Sequence, residues 1–265
     1  MRARRRNKLR LAPVFLAAAF AVLPLAPASA DDDTAIYTAN KEYVEVDVRI
    51  DNRLKAYPKL YDELVQEGRK FGADNEEAAA EQWQEDKTAF PAGMPYSYNL
   101  NYRLRVAAGN YVSIIIDEAE YTGGAHPNHG SATQLWDRDK DERVDFRTLF
   151  KDTRTDSADM QTLSKLILDA LAAEKKARDV SFDMNDMWFK DWKADFENFG
   201  QPSLAPSTEP GKSSGVTFHF SPYEAGAYAE GDYVAFVPAA ALTPLLTPEA
   251  QKLFGGARPE SDKEQ

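Results

Sequence analysis

The chain contains no cysteine among its 265 residues and only 3 histidines. The missing thiols exclude a disulfide-stapled scaffold, a zinc-thiolate or iron–sulfur centre, a cysteine nucleophile and a Cys-anchored lipoprotein. Phosphate-binding P-loops, dinucleotide fingerprints, G-x-S-x-G elbows and the H-E-x-x-H pattern of zincins are also missing. Positive charge is scarce: 32 Lys and Arg face 43 Asp and Glu, for a net charge of −11. After the N-terminal stretch, no apolar run is long enough to anchor the protein in a bilayer.

That N-terminal stretch reads as an address. Met1 to Arg10 holds Arg2, Arg4, Arg5, Arg6, Lys8 and Arg10 and no acid, Leu11 to Leu25 is apolar, and Ala28-Ser29-Ala30 follows. A basic region, a short apolar core and an A-x-A site predict a secretory signal over residues 1–30, cleaved after Ala30. Pro13, Pro24 and Pro27 interrupt the run and argue against a membrane anchor. Lys8 after Arg5-Arg6 favours general secretion over a twin-arginine route. The mature chain then carries a net charge of −17. It is expected to be periplasmic or secreted, to avoid nucleic acid and to suit a cationic partner. Export without cysteines fits a bacterial cell envelope.

Composition is that of a globular chain, with 12 Tyr, 14 Phe and 4 Trp to fill a core. Val44, Val46, Val48 and Ile50 alternate with polar residues and predict a strand. Pro58 opens a helical stretch, and a second, Ala-rich helix is expected from Asn75 to Lys87; Phe90 to Pro95 reads as a loop. Tyr96, Tyr98, Leu100, Tyr102, Leu104 and Val106 alternate with Ser97, Asn99, Asn101, Arg103 and Arg105, predicting a long strand with one wet face. Gly109-Asn110 turns it into a second strand, Tyr111 to Tyr121.

Short strands are expected at Ser131–Trp136 and Arg143–Phe146. A helix is expected over Ser157–Lys176, with Leu163, Leu166, Ile167, Ala170 and Leu171 on one face. A helical aromatic stripe from Met184 to Phe199 is read as core. Gln201 to Gly215 is a loop; strands follow at Val216–Phe220 and Tyr233–Val237, then a Pro-interrupted helical tail over Leu242–Phe254. Clustered strands and helices predict an α+β class with a mainly antiparallel sheet, packed helices and two intimately joined halves, 31–130 and 131–254. Gly255 to Gln265 reads as a disordered tail.

Chemistry concentrates in the loop Tyr121 to Gly130. Gly123 and Gly124 permit positive φ or close approach to a ligand or strand. His126 and His129, with Glu118 or Glu120, are a candidate metal set and the centre of an alternative reading as a metal-dependent hydrolase of cell-wall material. Their spacing in a Pro-containing loop favours a structural loop with hydrogen-bonded histidines and no metal or cofactor. Asp137, Asp139 and Asp141 alternate as in a calcium loop, but Glu142 and Thr148 stand where Gly and Glu are required, so an acidic hairpin turn is expected. His219 between Phe218 and Phe220 is read as a surface or edge residue. Tyr223 and Tyr228 anchor a bent connection with their hydroxyls available to a ligand.

Two blocks carry a resemblance. One is Tyr121-Thr122-Gly123-Gly124-Ala125-His126 with Asp145-Phe146-Arg147-Thr148-Leu149-Phe150. The other runs from Gly215 to Gly231, with Val234 to Pro238 and Leu242 following. In this order and separation they resemble the extracytoplasmic domain shared by RsiV-type anti-sigma factors and the non-catalytic part of PdaC-type peptidoglycan deacetylases. The resemblance covers roughly Ile36 to Phe254. It implies an α+β fold joined by the Gly-Gly-Ala-His loop and a partner such as lysozyme or peptidoglycan. Gly123, Gly124, His126, His129, Tyr223 and Tyr228 are the candidate contacts. With no sigma-binding segment, later membrane helix or deacetylase domain read in the sequence, a monomeric, stand-alone, non-enzymatic binding module is expected.

Overall fold

A computed structural model describes residues 33–90 and 94–263. The expected signal sequence and part of the Phe90–Pro95 loop lie outside the described residues. The fold is α+β and contains two sheets. The first has six strands in chain order: β1 (Asp33–Lys41), β2 (Val44–Asp51), β3 (Tyr96–Ala108), β4 (Tyr111–Tyr121), β5 (Asn128–Asp137) and β6 (Glu142–Val144). The second is β7 (Gln201–Leu204), β8 (Gly215–Phe220) and β9 (Tyr233–Pro238), with β8 central. All neighbours are antiparallel except β2 and β3. That exception follows from the helical crossover between them, α1 (Pro58–Glu85).

The alternation in β2 and β3 does what its period demands. Val44, Val46, Val48 and Ile50 pair with Tyr96, Tyr98, Leu100 and Tyr102 and are buried beneath α1. Proline opens α1 at its first turn, where its missing N–H costs nothing. One helix of 28 residues replaces the two expected, because nothing between Phe71 and Ala80 breaks it. Its glycines mark contact instead. A Cβ on Gly68 would lie 2.7 Å from Ile36 Cδ1, and one on Gly72 would lie 2.4 Å from the Tyr37 ring. Strand side chains thus pack directly on the helix backbone at these two positions. Buried Asp51 fixes the start of the crossover: its carboxylate accepts from the N–H groups of Arg53 (2.8 Å) and Leu104 (3.2 Å).

The second core gathers around α2 (Ala158–Ala177), which buries Met160, Leu163, Ile167 and Leu171. Ser157 caps it by accepting from Met160 N–H (3.2 Å). The predicted aromatic helix over 184–199 is instead a series of turns. Asp183 accepts from Asn185 N–H (2.8 Å) and Asp186 from Met187 N–H (2.6 Å), and these local bonds compete with the helical ladder. Phe189, Phe196 and Phe199 are core, as read, but Met184 and Met187 are exposed.

Three other expectations are corrected. The loop from 201 contains β7, whose Pro202 is tolerated because β7 is an edge strand. A boundary at residue 130 falls inside β5, since β5 and β6 complete the first sheet. The tail is ordered through Lys263: Thr208 N–H donates to Ala257 O (2.9 Å), and buried Asp262 in α3 (Glu260–Lys263) pairs with Arg105 and Arg258. Ion pairs with a residue far away in sequence leave no mark in local composition.

Substituting Gly72→Ala tests the close crossing. Better helix propensity is worth about 1 kcal/mol, whereas forcing a methyl into a rigid ring costs about 1–3 kcal/mol. The expected net effect is a fall in Tm of a few degrees by calorimetry; a rise would show that α1 has room to move away.

Candidate functional site

The two sheets meet along the polar side of β3, β4 and β5. Because cross-strand partners share a face, Arg103, Ile115 and Thr133 look away from α1, and so do Ser131 and Asp117. The second half covers this wet face in part and satisfies it. Leu204 N–H donates to Ser113 Oγ (3.1 Å), Ser131 N–H to Ser221 Oγ (3.1 Å), and Ser131 Oγ to Asp117 (2.8 Å). Gly130 lies where a Cβ would sit 3.0 Å from Ser221 Oγ, so this glycine permits close approach. Gly123 and Gly124 serve backbone shape: their φ values are 104° and 108°, and a Cβ on Gly124 would meet open space.

The Gly-Gly-Ala-His loop meets the connection between β8 and β9. The His126 and Tyr228 rings stack at 3.7 Å, and His129 sits edge-on to Tyr228 at 5.4 Å. Tyr228 OH donates to Pro127 O (2.6 Å). The aromatic series continues from Tyr228 to Tyr223 at 5.9 Å and from Tyr223 to Trp188 at 6.3 Å. All the paired candidates, His126, His129, Tyr223 and Tyr228, therefore belong to one surface. Trp188 joins them, a residue whose role was hidden in an aromatic stripe read as core.

The connection is held from below. Buried Lys175 of α2 donates to Glu230 Oε2 (2.9 Å), Tyr233 OH donates to the same oxygen (2.6 Å), and Ala227 N–H donates to Glu230 Oε1 (3.1 Å). The Tyr233 hydroxyl and Lys175 hold the Glu230 carboxyl down to about 2. Burial and that carboxylate push Tyr233 up to about 12. Above this base Tyr223 is 54% exposed with φ 73°, a left-handed conformation that costs an aromatic residue about 1–3 kcal/mol.

The candidate metal set does not assemble. Register places His129 opposite Ala119, on the sheet face away from Glu118 and Glu120. The carboxylate beside His129 Nε2 is Asp232 of the second half, at 3.2 Å. Among the described residues no three His, Asp or Glu side chains gather as a metal site. A shallow hollow of about 330 Å³ beside the loop has Glu118, Glu120, Ser131 and Ser221 in its wall. Burial, reinforced by Glu120, raises the Glu118 carboxyl there. Asp137 closes its acidic turn by accepting from the N–H groups of Asp139 (3.0 Å) and Lys140 (3.2 Å).

His219 is not the surface or edge residue expected. It lies on the central strand of the second sheet, half-buried, with Nε2 2.8 Å from Ser203 Oγ. Burial, aided by Arg105, pulls it down to about 4. Between its ordinary 6.5 and about 4, the unfolded chain takes up a proton here that the folded chain refuses. Stability therefore falls as pH drops through that window, by about 3 kcal/mol from this residue. In His219→Gln, which keeps a polar partner for Ser203, denaturant unfolding at pH 7 and pH 4 is expected to show a shallower loss than wild type; an identical loss would contradict the assignment.

Tyr228 is the keystone of the loop contact. Tyr228→Phe removes the bond to Pro127 and is expected to cost about 1 kcal/mol. Tyr228→Ala removes the stack as well and is expected to speed amide exchange over residues 122–130 by about tenfold or more. Unchanged exchange in Tyr228→Ala would mean that other contacts hold the loop.

Comparison with known proteins accords with this architecture. Residues 35–129, from β1 into β5, match the family model described as Deacetylase PdaC. No curated protein matches. A DUF3298 family protein from Pseudomonas aeruginosa PAO1 is similar in structure, with a TM-score of 0.50 at 17% identity over 84% of this chain and 94% of that one. A DUF3298 member from Bacteroides fragilis NCTC 9343 gives 0.47 at 17% identity over 83% of this chain and 96% of that one. The chain thus carries a PdaC-like domain of unknown function over residues 35–129, within a structure that has the fold of the Pseudomonas DUF3298 protein.

Proposed function

We propose that the exported protein is a non-enzymatic binding module of the cell envelope, and that the junction of its halves holds a basic protein of the lysozyme type. One observation carries the reading. The exposed large apolar side chains among the described residues are Met94, Met184, Met187 and Tyr223; Met184 and Met187 belong to the segment that carries Trp188, whose ring meets that of Tyr223. Met187, 67% exposed, directly precedes Trp188, and Met184 is 42% exposed. Aromatic and methionine side chains are the usual anchors of protein interfaces. Asp183, Asp186 and Glu224 adjoin them in sequence, giving an apolar centre with an acidic margin. The charge of −17 left by signal cleavage would draw a cation to it and raise the association rate. The strained φ of Tyr223 fits a side chain held out for contact. The resemblance to RsiV-type domains supplies lysozyme as the partner to try first.

Hydrolysis at His126 and His129 is less well supported, because the stacking partner Tyr228 and the carboxylate of Asp232 occupy these rings. The test uses the mature chain on a column. Retention of lysozyme at low salt, weaker at moderate salt and lowered about tenfold or more in Met187→Ala/Tyr223→Ala, is the expected result. No retention at either salt would reject the partner. Retention of peptidoglycan instead would move the assignment to the wall polymer, and turnover of that polymer would overturn the non-enzymatic reading.

A further inference from the structure

A cavity of about 210 Å³ lies between the two sheets. Its wall includes Arg103, Arg105, Arg178 and Arg258, with Thr217 and His219 on β8. Four guanidinium groups share this wall with three carboxylates, of which Asp117 pairs with Arg103 and Asp262 with Arg105 and Arg258. They come from β3, from the end of α2 and from the C-terminal tail, so only the folded junction brings them together.

The strand is built to present Arg105. The register of β3 against β4 slips between Leu104, which pairs with Ile114, and Val106, which pairs with Ser113. Arg105 is the extra residue of this β-bulge, and a bulge re-aims a side chain that regular pleating would place elsewhere. Its side chain is 10% exposed. It forms an ion pair with Asp262, yet its Nε has no hydrogen-bond partner. Thr217 is 1% exposed, and its Oγ1 has no partner either. Leaving a buried polar group unsatisfied costs about 1–3 kcal/mol, and more for a charged one. Two such donors lie in the wall of one cavity, beside Asp262 Oδ1, which also lacks a hydrogen bond.

We propose that this cavity is a binding site for a small carboxylate, which takes hydrogen bonds from Arg105 Nε and Thr217 Oγ1. Chemistry in the same wall shows the fit. The Asp262 carboxylate already lies between Arg105 and Arg258, accepting from Arg258 Nε at 2.6 Å. An Nε–H beside an occupied guanidinium edge offers a second carboxylate a directional, charge-assisted bond. The volume suits a small anion and is too small for a folded peptide. The site adjoins the aromatic surface through Asp232 and Ser221, but its test does not depend on capture of a protein partner.

The mature protein is titrated with sodium acetate at constant ionic strength, replacing chloride, and followed by ¹H–¹⁵N NMR at the Thr217 amide and Arg105 Nε–H. Saturable shifts at both are expected. Arg105→Lys keeps a cation for Asp262 but removes the Nε–H, and Thr217→Val removes only the hydroxyl. Each is expected to weaken acetate at least fivefold with an unchanged circular dichroism spectrum. No saturable shift in wild type, or undiminished binding in either folded variant, would overturn the proposal; if Arg105→Lys does not fold, Thr217→Val alone decides.

Discussion

The wet face of the first sheet is the constraint from which the rest follows. Burying polar strand residues is unfavourable unless each finds a partner. The second half provides partners through small hydroxyls and backbone amides: Ser113 receives Leu204 N–H, and Ser221 receives Ser131 N–H. Serines at these points permit approach at hydrogen-bond distance, and Gly130 permits it where even a methyl group would press on Ser221. The halves are consequently joined by directional bonds beside apolar contact. One core lies under α1; the other, around α2, crosses the junction and takes in Ala108 of β3 and Leu135 of β5.

That mode of joining explains where unusual chemistry collects. Where the two sheets fit closely, hydroxyls and amides satisfy each other. Where they diverge, the arginine-lined cavity remains, with Arg105 turned toward it by a bulge. At the outer end, the Gly-Gly-Ala-His loop crosses to the β8–β9 connection, and Tyr228 bridges them by stacking on His126 and bonding to Pro127. The base beneath is stiff, because Lys175, Glu230 and Tyr233 form one satisfied network. A rigid base beneath the connection that carries exposed Tyr223 lowers the conformational freedom lost when a partner arrives.

Much of this was readable from local pattern. Alternation in Val44–Ile50 and Tyr96–Val106 gave strands and their buried face, and Leu163, Ile167 and Leu171 gave the buried stripe of α2. The candidate loop residues were found from their rarity, and paired Gly123 and Gly124 do take the positive φ that only glycine adopts freely. What escaped was non-local. Polar alternation in β3 signals a face suited to water and cannot show that a second sheet will cover it. Arg105 reads as one more exposed cation until the bulge and Asp262 are seen. His219 takes its surroundings from Ser203 of β7 and from Arg105 across the junction, and Asp232 meets His129 of the other sheet. The apparent helix at 184–199 failed because Asp183 and Asp186 bind nearby amides, an outcome that apolar spacing does not encode.

The central claim is that the junction of the halves presents a contact surface for a basic partner. Hydrogen-exchange mass spectrometry of the mature protein with and without saturating lysozyme tests it most directly. The account predicts slower exchange confined to residues 122–130, 183–188 and 221–232. Protection restricted to α1 and the outer strands β1 and β2, or no protection anywhere, would contradict it.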